Sequence, residues 1–214
     1  GSIVSLSVKD DGGLDAVEKV LVHTGSGPVQ DRQEHAHTHC AVCDAEGRYI
    51  YAADLGTDTI YRYDRSQNYA VENFALPPGT GPRHLVLSRD GRFLYLISEL
   101  SNELFVLGVS RLDGTLSLME VHQLTTAQSG QTDGAGIALA FHDTRLYLSL
   151  RGPNEILVYA VDPDSGRVHP LQRFPSGGNW PRFFLVSEKD SMLLVAHQRS
   201  HDITAYHLDA KGLV

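Results

Sequence analysis

Asp44-Ala-Glu-Gly-Arg-Tyr-Ile-Tyr51 and Ser88-Arg-Asp-Gly-Arg-Phe-Leu-Tyr95 are near copies of one another, 44 residues apart. Each is a polar Asp/Gly turn followed by an apolar, tyrosine-containing run, the mark of a hairpin entering a buried strand. Two looser copies follow, His142-Asp-Thr-Arg-Leu-Tyr147 and Ser187-Glu-Lys-Asp-Ser-Met-Leu-Leu194. Working outward, a short apolar run precedes each turn and another follows it: 84–87 with 93–97, 137–141 with 146–150, and 183–186 with 192–196. A third run completes every unit, at 60–63, 104–109, 156–161 and 203–208, and a less apolar fourth closes three of them, at 71–76, 116–124 and 168–174. Helical periodicity is absent.

Four strands in a repeat of roughly 40 to 50 residues is the pattern of a β-propeller blade. A β-sandwich also has many short strands, but not at a fixed period. The fold class is therefore all-β, a propeller of four-stranded antiparallel blades. The predicted divisions are 1–24 as the end of one blade, 35–77, 82–126 and 134–175 as whole blades, and 181–214 as an incomplete one. A polar, glycine-containing loop is expected over 125–136. About four and a half blades are thus expected, and an open propeller presents strand edges and apolar faces that favour self-association.

Lys plus Arg number 18 against 26 Asp plus Glu, a net charge of −8 spread along the chain. This excludes a general nucleic-acid or anionic-membrane partner. An anionic small molecule would need a local cluster of Arg or His. No stretch reaches the roughly 18 consecutive apolar residues of a membrane helix. With only Cys40 and Cys43 there is no disulfide framework, and the expected setting is the cytoplasm.

A hairpin brings residues equidistant from its turn opposite each other. Arg83 and Glu99 are centred on Gly91 and should emerge at one end of a blade. Aligned on the repeat, Glu99, Arg151 and Gln198 are equivalent, with Leu55 in that place one blade earlier and Asp54 beside it. His39 and Asp54 flank their own turn in the same way. Polar residues therefore recur at one mouth, although Arg83 and Glu99 also suit a blade-stabilising ion pair, and Arg151 a loop charge. Trp180-Pro-Arg182 and Gln198-Arg199 read as packing plus surface or, at Arg182 or Arg199, as a phosphate contact. His35, His37 and His39 alternate; in an extended strand they would share a face, an arrangement that could bind metal. The expectation is nonetheless a metal-free His site, without zinc at the cysteines, whose spacing of three puts them on opposite faces.

His37-Thr-His39, Asp54-Leu-Gly-Thr-Asp58, Gly81-Pro-Arg-His84 and Ser98-Glu-Leu100, in this order and spacing, resemble the seven-bladed β-propeller lactonase family. That family includes a propeller type of 6-phosphogluconolactonase and a carboxy-muconate lactonising enzyme. The resemblance covers nearly the whole chain and implies about two and a half further blades, mostly before Gly1. It implies lactone chemistry on an anionic sugar or muconate acid without a cofactor, here hydrolysis of 6-phosphogluconolactone to 6-phosphogluconate. Carried over one at a time, the family's functional residues fall on His39, Arg83, Glu99 and Arg151. His37, Asp54, His84, Arg182 and Gln198 are the accompanying substrate-binding candidates. Ser98 and His197 depart from the usual pattern, where Asn often precedes Glu99 and Asn or Ala often precedes Gln198.

In this reading His39 is the general base, because imidazole titrates near neutral pH. Arg83 or Arg151 stabilises the oxyanion or holds the substrate's anionic group, and Glu99 orients Arg83 or the water. No Gly-x-Ser-x-Gly elbow supports a serine-hydrolase route. A lactonising cyclase and a non-catalytic binding propeller are the alternatives.

Overall fold

The structure, a computed structural model, describes residues 1–125 and 132–214. The chain opens with an antiparallel pair, β1 (Ser2–Val8) and β2 (Leu14–Val22). After the four-residue helix α1 (Gln30–Gln33) come three four-stranded meanders. The first comprises β3 (Thr38–Cys43), β4 (Tyr49–Asp54), β5 (Thr59–Asp64) and β6 (Ala70–Ala75). The second comprises β7 (Pro82–Leu87), β8 (Phe93–Ser98), β9 (Glu103–Val109) and β10 (Leu116–Gln123). The third comprises β11 (Asp133–Ala140), β12 (Arg145–Arg151), β13 (Glu155–Val161) and β14 (Val168–Pro175). A three-stranded sheet of β15 (Pro181–Ser187), β16 (Met192–His197) and β17 (Ile203–His207) ends the described chain.

The first strands of successive sheets, β3, β7, β11 and β15, lie side by side. The sheets therefore radiate from one side, as propeller blades do. Second strands such as Tyr49–Asp54 and Phe93–Ser98 are buried at every residue. Sandwiched between neighbouring blades, they read as near-continuous apolar runs rather than alternating ones. Fourth strands are largely exposed and alternate. The polar loop expected over 125–136 is shorter, because Asp133–Ala140 is strand; residues 126–131 lie outside the described residues.

The core is a series of interfaces between blades rather than one central mass. Tyr49, Tyr51 and Ile60 pack on Leu94, Leu96 and Phe105 of the next sheet. Tyr95 and Ile97 pack on Leu146, Leu148 and Leu150, and Tyr147 and Ile156 on Phe184 and Leu193. Leu96 and Leu148 are fully buried, so truncating either to Ala would cost about 2–5 kcal/mol.

One hydrogen bond recurs across these interfaces. Tyr51 Oη donates to the Gly114 carbonyl at 2.8 Å, Tyr95 Oη to Gly166 at 3.0 Å, and Tyr147 Oη to Gly212 at 2.6 Å. Each glycine turns at positive φ, and a Cβ on it would press into the aromatic rings beside it. At the opening pair, His23 Nδ1 lies 2.7 Å from Asp54 Oδ2 and His23 Nε2 lies 2.7 Å from Tyr63 Oη, tying the first sheet to the second. No helix among the described residues is long and apolar enough to cross a membrane.

Candidate functional site

The ladder between each first and second strand skips one residue near the same end. The skipped residues are His39 between Thr38 and Cys40, Arg83 between Pro82 and His84, and Arg182 between Pro181 and Phe183. The third blade has its irregularity between Gly134 and Ile137. A bulge bends the strand, re-aims its side chain and shifts the pairing beyond it by one residue, as from Thr38 opposite Asp54 to Cys40 opposite Ala53. Three chemically useful side chains are thus delivered to one mouth by the same backbone device.

Glu99, the residue after β8, is the node of this mouth. Its Oε2 lies 2.9 Å from Arg83 Nε and 2.7 Å from Arg151 Nη2, and its Oε1 pairs with Arg32. Arg83 also donates to the Ala135 carbonyl at 2.6 Å and Arg151 to the Gly134 carbonyl at 2.9 Å. Burial alone would raise the Glu99 pKa, but Arg151, Arg32 and Arg83 outweigh it and hold the carboxylate ionised. Burial, reinforced by Arg151, lowers Arg83 to about 10, which still leaves it charged at neutral pH.

His84 Nε2 lies 3.2 Å from Arg83 Nη1, and the His84 ring meets the His39 ring edge-on at 4.9 Å. Burial and then Arg83 depress His84 to about 3 and His39 to about 4. Both are neutral at pH 7. His39 Nδ1 is buried and has no hydrogen-bond partner among the described residues. Across from Arg151 in register, Asp133 has its pKa raised, chiefly by burial.

His39 faces a cavity of about 560 Å³ whose other lining residues include Arg32, Glu34, His35, His37 and Arg182. Arg182 is exposed and donates to Gln198 Oε1 at 3.2 Å; among the described residues no carboxylate pairs with it. Arg199 stacks on Trp180, its guanidinium 3.3 Å from the ring centroid.

His39, Arg83, Glu99 and Arg151 therefore come together, with His84 among them and Arg182 and Gln198 at the rim. Arg83, Glu99 and Arg151 do not line the cavity. They are almost fully buried and reach it through Arg32, which the sequence reading missed. Arg32 lies outside the strand repeat, on α1. Its position is set by Gln33, whose buried amide donates to the Leu55 carbonyl at 2.8 Å and to Asp58 Oδ1 at 2.7 Å. Only the run of polar residues before β3 could have hinted at it.

Two expectations are corrected. Asp54 is not placed to bind substrate: it is fully buried, and Oδ1 accepts from the amides of His37, Gly56 and Thr57 while Oδ2 engages His23 and Thr38. Nor do His35, His37 and His39 share a strand face, because β3 starts only at Thr38. His39 turns to His84, whereas His35 and His37 lie against each other, ring centroids 4.2 Å apart, beside Glu34. Cys40 and Cys43 are free thiols.

The sequence model of the family described as "Lactonase, 7-bladed beta-propeller" matches residues 1–213. The chain is 29% identical to a 6-phosphogluconolactonase of Bacillus subtilis over 98% of this chain and 60% of that protein. It is 32% identical to a probable 6-phosphogluconolactonase of Arthroderma benhamiae, over 97% of this chain and 56% of that one. Among solved structures, a periplasmic gluconolactonase of Pseudomonas aeruginosa superposes with a TM-score of 0.90 at 33% identity, over 100% of this chain and 61% of that one. The chain thus spans less than two thirds of the length of these relatives.

Proposed function

The chain belongs to the seven-bladed β-propeller lactonase family, and from that membership we propose that its mouth hydrolyses an anionic sugar lactone, 6-phosphogluconolactone being the substrate that the relatives' names favour. The observation that carries this reading is the concentration of Arg32, Arg83, Arg151 and Arg182 around one carboxylate and two neutral imidazoles, in a protein of net charge −8. Such a cluster concentrates an anionic ligand locally despite the repulsive field of the whole.

His39, neutral and on the cavity wall, takes a proton from water as its oxygen adds to the lactone carbonyl. The ring C–O bond then breaks, the alkoxide takes a proton, and a hydroxy acid is released. Arg32 and Arg182 bind the substrate's anionic group and neutralise the tetrahedral oxyanion. Arg83 and Arg151 act one shell back: they hold Glu99, and Glu99 holds Arg32. A low His39 pKa makes a modest base, so the guanidinium charges carry the larger share of the acceleration.

The cytoplasm is the proposed compartment, and the exposed apolar side chains Val8, Val22, Phe183 and Ile203 support self-association through the open faces. The reading is tested by giving the complete protein 6-phosphogluconolactone and following acid release. Turnover that is lost on changing His39 supports it; release no faster than in buffer overturns it.

A further inference from the structure

Glu34, His35 and His37 form the one group of three His, Cys, Asp or Glu side chains, among the described residues, whose ligand atoms all lie within 4.8 Å of one another. Their arrangement is specific. His35 Nδ1 and His37 Nε2 each lie 3.2 Å from the same oxygen, Glu34 Oε1. Donors about 2.0–2.1 Å from a tetrahedral zinc ion are separated by about 3.3 Å along each edge, so both edges that meet at Glu34 Oε1 already stand at that spacing, and the two imidazole nitrogens lie within 4.8 Å of one another.

The backbone that presents them is fixed before any ion arrives. Glu34 closes α1 in helical conformation, and the buried Ala36 anchors the loop between the two histidines. The His37 amide is held by Asp54 Oδ1 at 2.8 Å. Against the other side packs Gly56, where a Cβ would come within 1.9 Å of the His35 carbonyl oxygen. All three side chains remain partly open to solvent and line the cavity that also holds His39 and Arg182.

We propose that Glu34, His35 and His37 bind a divalent first-row transition metal ion, zinc for choice, with water in the fourth position. Two imidazoles and one carboxylate suit such an ion and are too few and too nitrogen-rich for calcium or magnesium. The site is independent of the hydrolytic reading, since it needs no substrate.

Calorimetric titration of the tag-free protein at neutral pH with Zn²⁺ alone tests it. One equivalent should bind. Glu34→Gln and His35→Ala, both at exposed positions, should each weaken binding by about tenfold or more, at least the effect of removing an outer-shell partner. Cys43→Ser, which removes an exposed thiol, should leave it unchanged. Co²⁺ in place of zinc should give the intense visible absorption of a four-coordinate site. No binding by the parent protein, an affinity equal to the parent's in both ligand variants, loss in Cys43→Ser, or an absorption as weak as that of aqueous Co²⁺ would overturn the assignment.

Discussion

Arg32, on the helix before the first complete sheet, is ion-paired to Glu99, at the end of the second strand of the following sheet. The pair crosses a blade interface and joins an exposed cation to a buried one-carboxylate, two-arginine cluster. Glu99→Ala would strand Arg83 and Arg151 in the interior without a carboxylate, left with the Ala135 and Gly134 carbonyls and, for Arg83, the His84 ring. A loss of about 3–5 kcal/mol in urea unfolding is expected, the range for breaking a buried pair. Arg32→Ala, which removes a half-exposed partner, should cost less than about 1 kcal/mol. Comparable losses in the two variants would show that Glu99 is not the node.

Stability should fall as the solution is acidified from pH 7 towards 4. His39 and His84 have folded-state pKa values of about 4 and about 3, against 6.5 for an unperturbed imidazole. Between these limits the unfolded chain binds more protons than the folded one, so stability is full above the unfolded value and is lost as pH drops. The urea midpoint should therefore be lower at pH 5 than at pH 7, and His84→Gln should narrow that difference. A midpoint indifferent to pH in the parent protein would remove the histidines from the acid response.

In the complete protein, His39→Ala should lower kcat by about 10² to 10⁴ with little change in KM, as for loss of a proton-transfer group. The parent's kcat/KM should hold level from neutral pH down to about 5 and fall below the His39 pKa of about 4, where the ring is protonated. An acid limb that persists in the variant would belong to another group.

Arg182 has no carboxylate partner among the described residues and stands on the cavity wall. Arg182→Ala should raise KM for an anionic lactone by about tenfold or more, the worth of one charge-assisted contact, and leave an uncharged lactone nearly unaffected. Equal losses on both substrates would assign Arg182 to the integrity of the rim.

The blades were legible because Asp44 to Tyr51 and Ser88 to Tyr95 carry both the turn chemistry and the buried second strand. The Arg83–Glu99 proximity was legible for the same reason, since hairpin symmetry about Gly91 puts them at one end. Arg32 and Glu34 were not, because a four-residue helix in a connection has no period and no repeat to align. The histidines misled in the same region: alternation implies a shared face only where the backbone is extended, and the strand begins after His37. The bulges at His39, Arg83 and Arg182 were invisible too, because a skipped ladder residue depends on pairing rather than on residue type.

The tyrosine bonds to Gly114, Gly166 and Gly212 all point forward along the chain, across 63, 71 and 65 residues. During synthesis, therefore, none of these three blades can complete its own interior when its last strand emerges. The hydroxyl of Tyr51, Tyr95 or Tyr147 stays wet until the outer turn of the succeeding blade has left the ribosome and folded back. Nascent chains paused between blades should carry one loosely closed sheet at the growing end, and a premature stop should damage the blade before it as well as the one it truncates.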